Sequence, residues 1–126
     1  MSRIILSRYT DGTTHVVVGW DHPAQGAFWQ EWATADEVKA AEAWLEDNGD
    51  SGKYGTDEYY LNERIAETEV KREGGMWPGI PLEQLRDDMP EELRSLITDK
   101  VYGLLVEHAN DPDSGYKKST IDLTQH

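Results

Sequence analysis

The chain has 126 residues, 25 of them acidic against 12 basic, for a formal net charge of −13. A field of that sign repels phosphate backbones and anionic lipid, so it argues against direct nucleic-acid or membrane binding and favours basic partners. Cysteine is absent, which excludes disulfides and thiolate chemistry, and no apolar run approaches the roughly 20 residues needed to cross a bilayer.

The first apolar stretch, Ile4-Ile5-Leu6, is shorter than the roughly 7–15 residues of a secretory core, so a cytoplasmic protein is expected. Asp11-Gly12 lies between two β-rich runs and predicts a hairpin closed by a two-residue type I′ turn. That register sets Arg8 opposite His15, Leu6 opposite Val17 and Ile4 opposite Gly19. Ile5, Tyr9, Val16, Val18 and Trp20 then form the core-facing side. A third strand follows over Ala27 to Trp32. Phe28, Gln30 and Trp32 share one face and Trp29 takes the other. If helices cover only one side of the sheet, a large ring stays exposed beside acidic surface, which makes Trp29 a candidate anchor for a partner. Cover on both sides would bury it.

Thr34-Ala35-Asp36-Glu37 is a capping box that opens a helix, with Val38, Ala41 and Leu45 inward and Asn48-Gly49 as its end. Residues 57–73 predict a second helix, with Leu61 and Ile65 as its i,i+4 stripe. Gly74-Gly75 and Trp77-Pro78-Gly79 break the chain, and Pro81 opens a short helix burying Leu82, Leu85 and Met89. Asp88-Met89-Pro90-Glu91 reads as another capping box. From it Leu93, Leu96, Ile97, Val101, Leu104 and Leu105 predict a helix of about 20 residues, near 30 Å long, packed across the sheet. Ser119 to Thr124 alternates as a short late strand. The expected fold is one α+β domain over 1–126: a small antiparallel sheet packed against a long helix of the C-terminal half and shorter helices.

The charge is concentrated. Residues 1–30 are neutral, whereas 31–69 carry twelve carboxylates against Lys39, Lys53 and Arg64, a balance of −9. Glu42/Glu46 and Glu63/Glu67 are like-charge i,i+4 pairs, each costing a few tenths of a kcal/mol on a helix. A solvated face that only secures solubility tolerates this. A sharper reading is nucleic-acid mimicry, because helical carboxylates repeating about every 6 Å can occupy a Lys/Arg groove.

No catalytic constellation stands out. His15, His22, His108 and His126 lack metal-ligand spacing, and no Ser sits in a nucleophile elbow. Asp21-His22 leaves a small hydrolase open. Residues 47–58 resemble a calcium loop, with Gly52 sixth and Glu58 twelfth, but Gly49 removes a ligand at the third position. No glycine spacing matches a phosphate-binding loop. No cofactor or metal is expected.

Gly19-Trp20-Asp21-His22-Pro23, with Phe28 and Trp29 downstream, resembles a motif of small uncharacterised bacterial and mobile-element proteins. These carry a strand ending Gly-Trp-Asp-x-Pro followed by an aromatic strand. Ala24 and Gln25 depart from it, standing where a bulkier apolar residue is usual. The resemblance implies a phage or mobile-element origin and carries no site.

The function expected from these features is a non-enzymatic acidic protein-binding module. It would act as an inhibitor occupying the basic groove of a host nucleic-acid-handling protein, in the manner of anti-restriction or anti-CRISPR DNA mimics. Its contact residues are expected to be Glu42, Glu46, Asp47, Asp50, Asp57 and Glu58, with Trp29 as anchor. The alternatives are the Asp21/His22 hydrolase, the 47–58 calcium module and a structural virion component.

Overall fold

The structure, a computed structural model, describes residues 2–21, 23–49, 55–75, 78–111 and 119–124. It is an α+β fold. The three N-terminal strands form as the alternation predicts: β1 (Ser2–Arg8), β2 (Thr14–Asp21) and β3 (Gly26–Trp32).

The turn between β1 and β2 differs from the expected type I′. Gly12 N donates to Tyr9 O and Tyr9 N donates to Thr13 O, each at 2.9 Å, and within the turn only Gly12 (φ 88°) is left-handed. This is a three-residue loop. Asp11 favours it locally, because its Oδ1 accepts from Thr13 Oγ1 at 2.6 Å and from Thr13 N at 2.9 Å. Those two bonds, the hydroxyl first, hold the Asp11 carboxyl below its usual range. The extra loop residue slips the register. Ile4 faces Val18 rather than Gly19, Ile5 faces Val17, and the ladder is irregular between Ile5 and Ser7. A one-residue slip exchanges faces. Ile4, not Ile5, therefore joins Val16 and Val18 in the main core.

Five strands form one sheet in the order β4-β3-β2-β1-β5. The sheet is mixed rather than antiparallel, because β5 (Ser119–Asp122) runs parallel to β1. Strand β4 (Val70–Gly74) takes the end of the stretch expected to be helical. Helix α2 (Asp57–Thr68) stops where Glu69 turns left-handed at φ 63°. Beyond it Val70 is buried while Lys71, Arg72 and Glu73 are not, a composition suited to an edge strand.

Helix α1 (Ala35–Asn48) ends where expected, and α3 (Leu82–Asp88) follows Pro81 with Leu85 and Met89 buried. The expected 20-residue helix is two elements, a 3-10 helix (Glu91–Leu96) and α4 (Asp99–Asn110). Thr98 divides them: it is extended, and its hydroxyl accepts from Val101 N at 3.3 Å as the cap of α4. Asp88 caps nothing here. Its Oδ2 accepts from Trp29 Nε1 at 2.8 Å, and the 3-10 helix begins after Pro90 without a side-chain cap. Leu93, Ile97, Val101 and Leu105 are nevertheless all buried, so the apolar period is satisfied by two helices in succession.

Two compact units make up the chain: Met1–Gln30 with Glu73–His126, and Glu31–Arg72. In the first, Ile4, Val16, Val18, Trp29, Leu85, Met89, Val101 and Leu105 share a core. Ile5, Val17 and Phe28 are buried as well, so both faces of the sheet are covered. Among the described residues no helix is long and apolar enough to cross a membrane.

Candidate protein-docking surface

The carboxylate-rich segment coincides with the second unit, Glu31–Arg72. Its helices are fixed by their own caps. Thr34 Oγ1 accepts from Glu37 N at 3.1 Å, and Thr34 N donates to Glu37 Oε1 at 3.0 Å, completing the capping box the sequence predicts. Thr56 Oγ1 accepts from Tyr59 N at 3.2 Å at the start of α2. Ala41 of α1 and Ile65 of α2 meet in a small core with Ala33, Val38 and Ala66. Leu61, expected inward, is instead 43% exposed. Along α2 Ile65 is buried, and Tyr59, Asn62, Glu63, Arg64 and Ala66 are half-buried.

Most of the unit's described cations are used internally. Arg72 Nε meets Glu31 Oε1 at 2.6 Å, and this glutamate side chain is only 7% exposed. Lys71 Nζ meets Glu37 Oε2 at 2.7 Å. Burial pushes the Glu37 carboxyl up, but Lys71 and the Thr34 N–H outweigh that and hold it below the usual range. Arg64 Nη2 donates to Lys71 O at 2.9 Å.

Glu42, Glu46 and Asp47 on α1, and Asp57 and Glu58 on α2, are exposed. Among the described residues none of them has an ion-pair partner, and Lys39, on the same side of α1 as Glu42 and Glu46, pairs with neither. Their positions differ in local cost. Asp57 and Glu58 lie in the first turn of α2, where the helix dipole welcomes negative charge. Glu46 and Asp47 lie in the last turn of α1, which has no basic residue, and there the same dipole opposes them. Asp50 lies outside the described residues.

Trp29 does not belong to this surface. It is 5% exposed, sits in the core of the first unit and gives its N–H to Asp88. Among the described residues, the exposed large hydrophobic side chains are Tyr60, Leu61 and Tyr102. Sequence reasoning missed Tyr60 and Leu61. No local signal separates Leu61 from Ile65, because which of the two is covered depends on packing against Ala41 of α1.

Asp21 is half-buried, and His22 lies outside the described residues, as do positions 50–54 of the calcium-like loop and His126. His15 Nδ1 lies 3.0 Å from Ser7 Oγ, with its ring 4.4 Å from that of Tyr9. His108 is in the last turn of α4. Among the described residues no group of three or more His, Asp or Glu side chains converges in a way that would hold a metal ion. No family profile, curated protein or solved structure matches the chain.

Proposed function

We propose that this protein is a non-enzymatic acidic docking module of the cytoplasm. Its α1 and α2 carboxylates enter the basic groove of a nucleic-acid-handling protein, as an inhibitor encoded by a phage or mobile element would. The observation that carries this reading is the state of Glu42, Glu46 and Asp47: exposed, without ion pairs among the described residues, and partly opposed by their own helix dipole. Solubility needs charge, but it does not need charge at the least favourable end of a helix. Asp57 and Glu58 extend the set from α2. A Lys/Arg groove that gives up its counterions to such carboxylates gains the same entropy it gains from phosphates.

The reading makes three demands on any complex. Affinity falls steeply as salt rises, a DNA or RNA oligonucleotide competes for the partner, and charge reversal at Glu42, Glu46 and Asp47 abolishes capture. A salt-dependent pull-down from bacterial lysate, with the reversed variant and an oligonucleotide competitor as arms, measures all three. A partner retained at high salt, or captured equally by the reversed variant, overturns the proposal.

A further inference from the structure

We infer that the Tyr60–Leu61 stripe of α2, together with Asp57, anchors an arginine-bearing segment of the basic partner; this rests on the docking reading above and names the chemistry it selects. Tyr60 is 53% exposed and Leu61 43%. Residues three, four and seven apart share a helix face. Asp57, Tyr60, Leu61 and Arg64 accordingly line one outward cavity of about 320 Å³. Adjacent apolar side chains exposed together and rimmed by polar groups, rather than one alone, mark interaction surfaces, and tyrosine is among the residues that most often dominate binding energy.

The ring is also braced. Trp44 of α1 meets the Tyr59 ring edge-on at 6.3 Å, and Tyr59 meets Tyr60 edge-on at 6.0 Å. An anchor held in place loses little freedom on binding. Arg64 leaves the neighbouring carboxylate available: its Nη2 is given to Lys71 O, and it forms no ion pair with Asp57.

An exposed aromatic face beside a carboxylate that has no ion-pair partner among the described residues suits guanidinium better than ammonium. Guanidinium is planar and weakly hydrated, stacks on a ring and offers two parallel N–H donors to a carboxylate, whereas ammonium is a compact, strongly hydrated point charge. Leu61 is placed to receive the aliphatic stem of the same arginine. The carboxylates of α1 and α2 then supply attraction, and Tyr60 supplies the choice between the two cations.

The test titrates the intact protein with oligo-arginine and oligo-lysine peptides of equal length at low and high salt. Oligo-arginine should bind about two- to fivefold more tightly, the span of an exposed cation–π contact. Tyr60→Ala should erase that preference while leaving oligo-lysine affinity unchanged, and Tyr60→Phe should keep it. The Tyr60 ring resonances of the unmodified protein provide a second readout that needs no variant; they should shift with oligo-arginine and not with oligo-lysine. Equal affinities, unmoved resonances, or a preference that survives Tyr60→Ala overturns the anchor while leaving the acidic docking surface standing. Failure of both peptides to bind in a salt-sensitive way overturns the docking surface itself.

Discussion

Gly74 makes room for the hydrogen bond that holds Trp29. A Cβ built at this position would fall on Asp88 Oδ2 and Trp29 Nε1, the two atoms of that bond. Gly74→Ala must therefore push β4, the indole or Asp88 out of place, at a cost of about 1–3 kcal/mol. Urea unfolding measures it, and an unchanged midpoint would show that the bond has slack. Affinity for basic peptides should stay the same, because the strain lies in the core. Strand alternation in the sequence does separate Trp29 from Phe28. It says nothing about what covers each face, and here both rings are buried. Burial of a given ring depends on elements far away in the chain, and the exposed ring proposed as an anchor lies on α2 instead. Tyr60 and Leu61 were hidden for a related reason: Leu61 and Ile65 form a good apolar pair four apart, but only Ile65 packs into the small core with Ala41 of α1.

At the scale of elements, β5 is held to β1 by backbone pairing and by one polar cluster. Asp122 Oδ1 accepts from Thr124 Oγ1 at 2.5 Å and from Thr124 N at 2.9 Å, and its Oδ2 accepts from Arg8 Nη2 at 2.7 Å. Arg8 Nη1 also donates to Gly12 O at 2.7 Å, so the cluster joins the hairpin loop to the last strand. The Thr124 hydroxyl first, and then Arg8, bring the Asp122 carboxyl down from 3.8 to about 2. A carboxylate more acidic when folded stabilises the fold above its unfolded value and loses that contribution as pH falls through the folded one. Asp122→Asn should thus melt lower than the unmodified chain at about pH 6, with the difference closing as pH falls below 3.8 toward 2. Melting curves at stepped pH check this, and a gap that persists at the acid end would remove Asp122 from the clamp. The legible elements are those written in neighbouring residues: the Thr34 capping box, the hairpin strands, the helix after Pro81 and the late strand. Hairpin register, β4 and the break at Thr98 were not legible, because each turns on one backbone angle or loop residue. The apolar period tolerates either outcome: Leu93 through Leu105 fit one long helix as well as a 3-10 helix followed by α4.

For the whole molecule, the net charge of −13 sets the stability of the fold against the binding proposed for it. Glu42 and Glu46 repel one turn apart, and Glu46 and Asp47 face the negative end of α1 without a basic residue in that turn. Each effect is worth a few tenths of a kcal/mol, so Glu42→Gln, Glu46→Gln and Asp47→Asn together should stabilise the protein by about 1 kcal/mol at low salt. Raising ionic strength screens exposed charges over about a Debye length, and the advantage of the variant should shrink accordingly. Oligo-lysine binding should weaken in the same variant. Urea unfolding at two salt concentrations, paired with the peptide titration, separates the two roles these carboxylates can have. If they were structural, neutralising them would lower stability. If they served solubility alone, peptide affinity would follow total charge, and neutralising three exposed acids elsewhere, such as Glu83, Asp87 and Glu91, would weaken it equally. A variant that is more stable, binds less and is not matched by this control identifies the α1 charges as kept for a partner, at a standing cost to the fold.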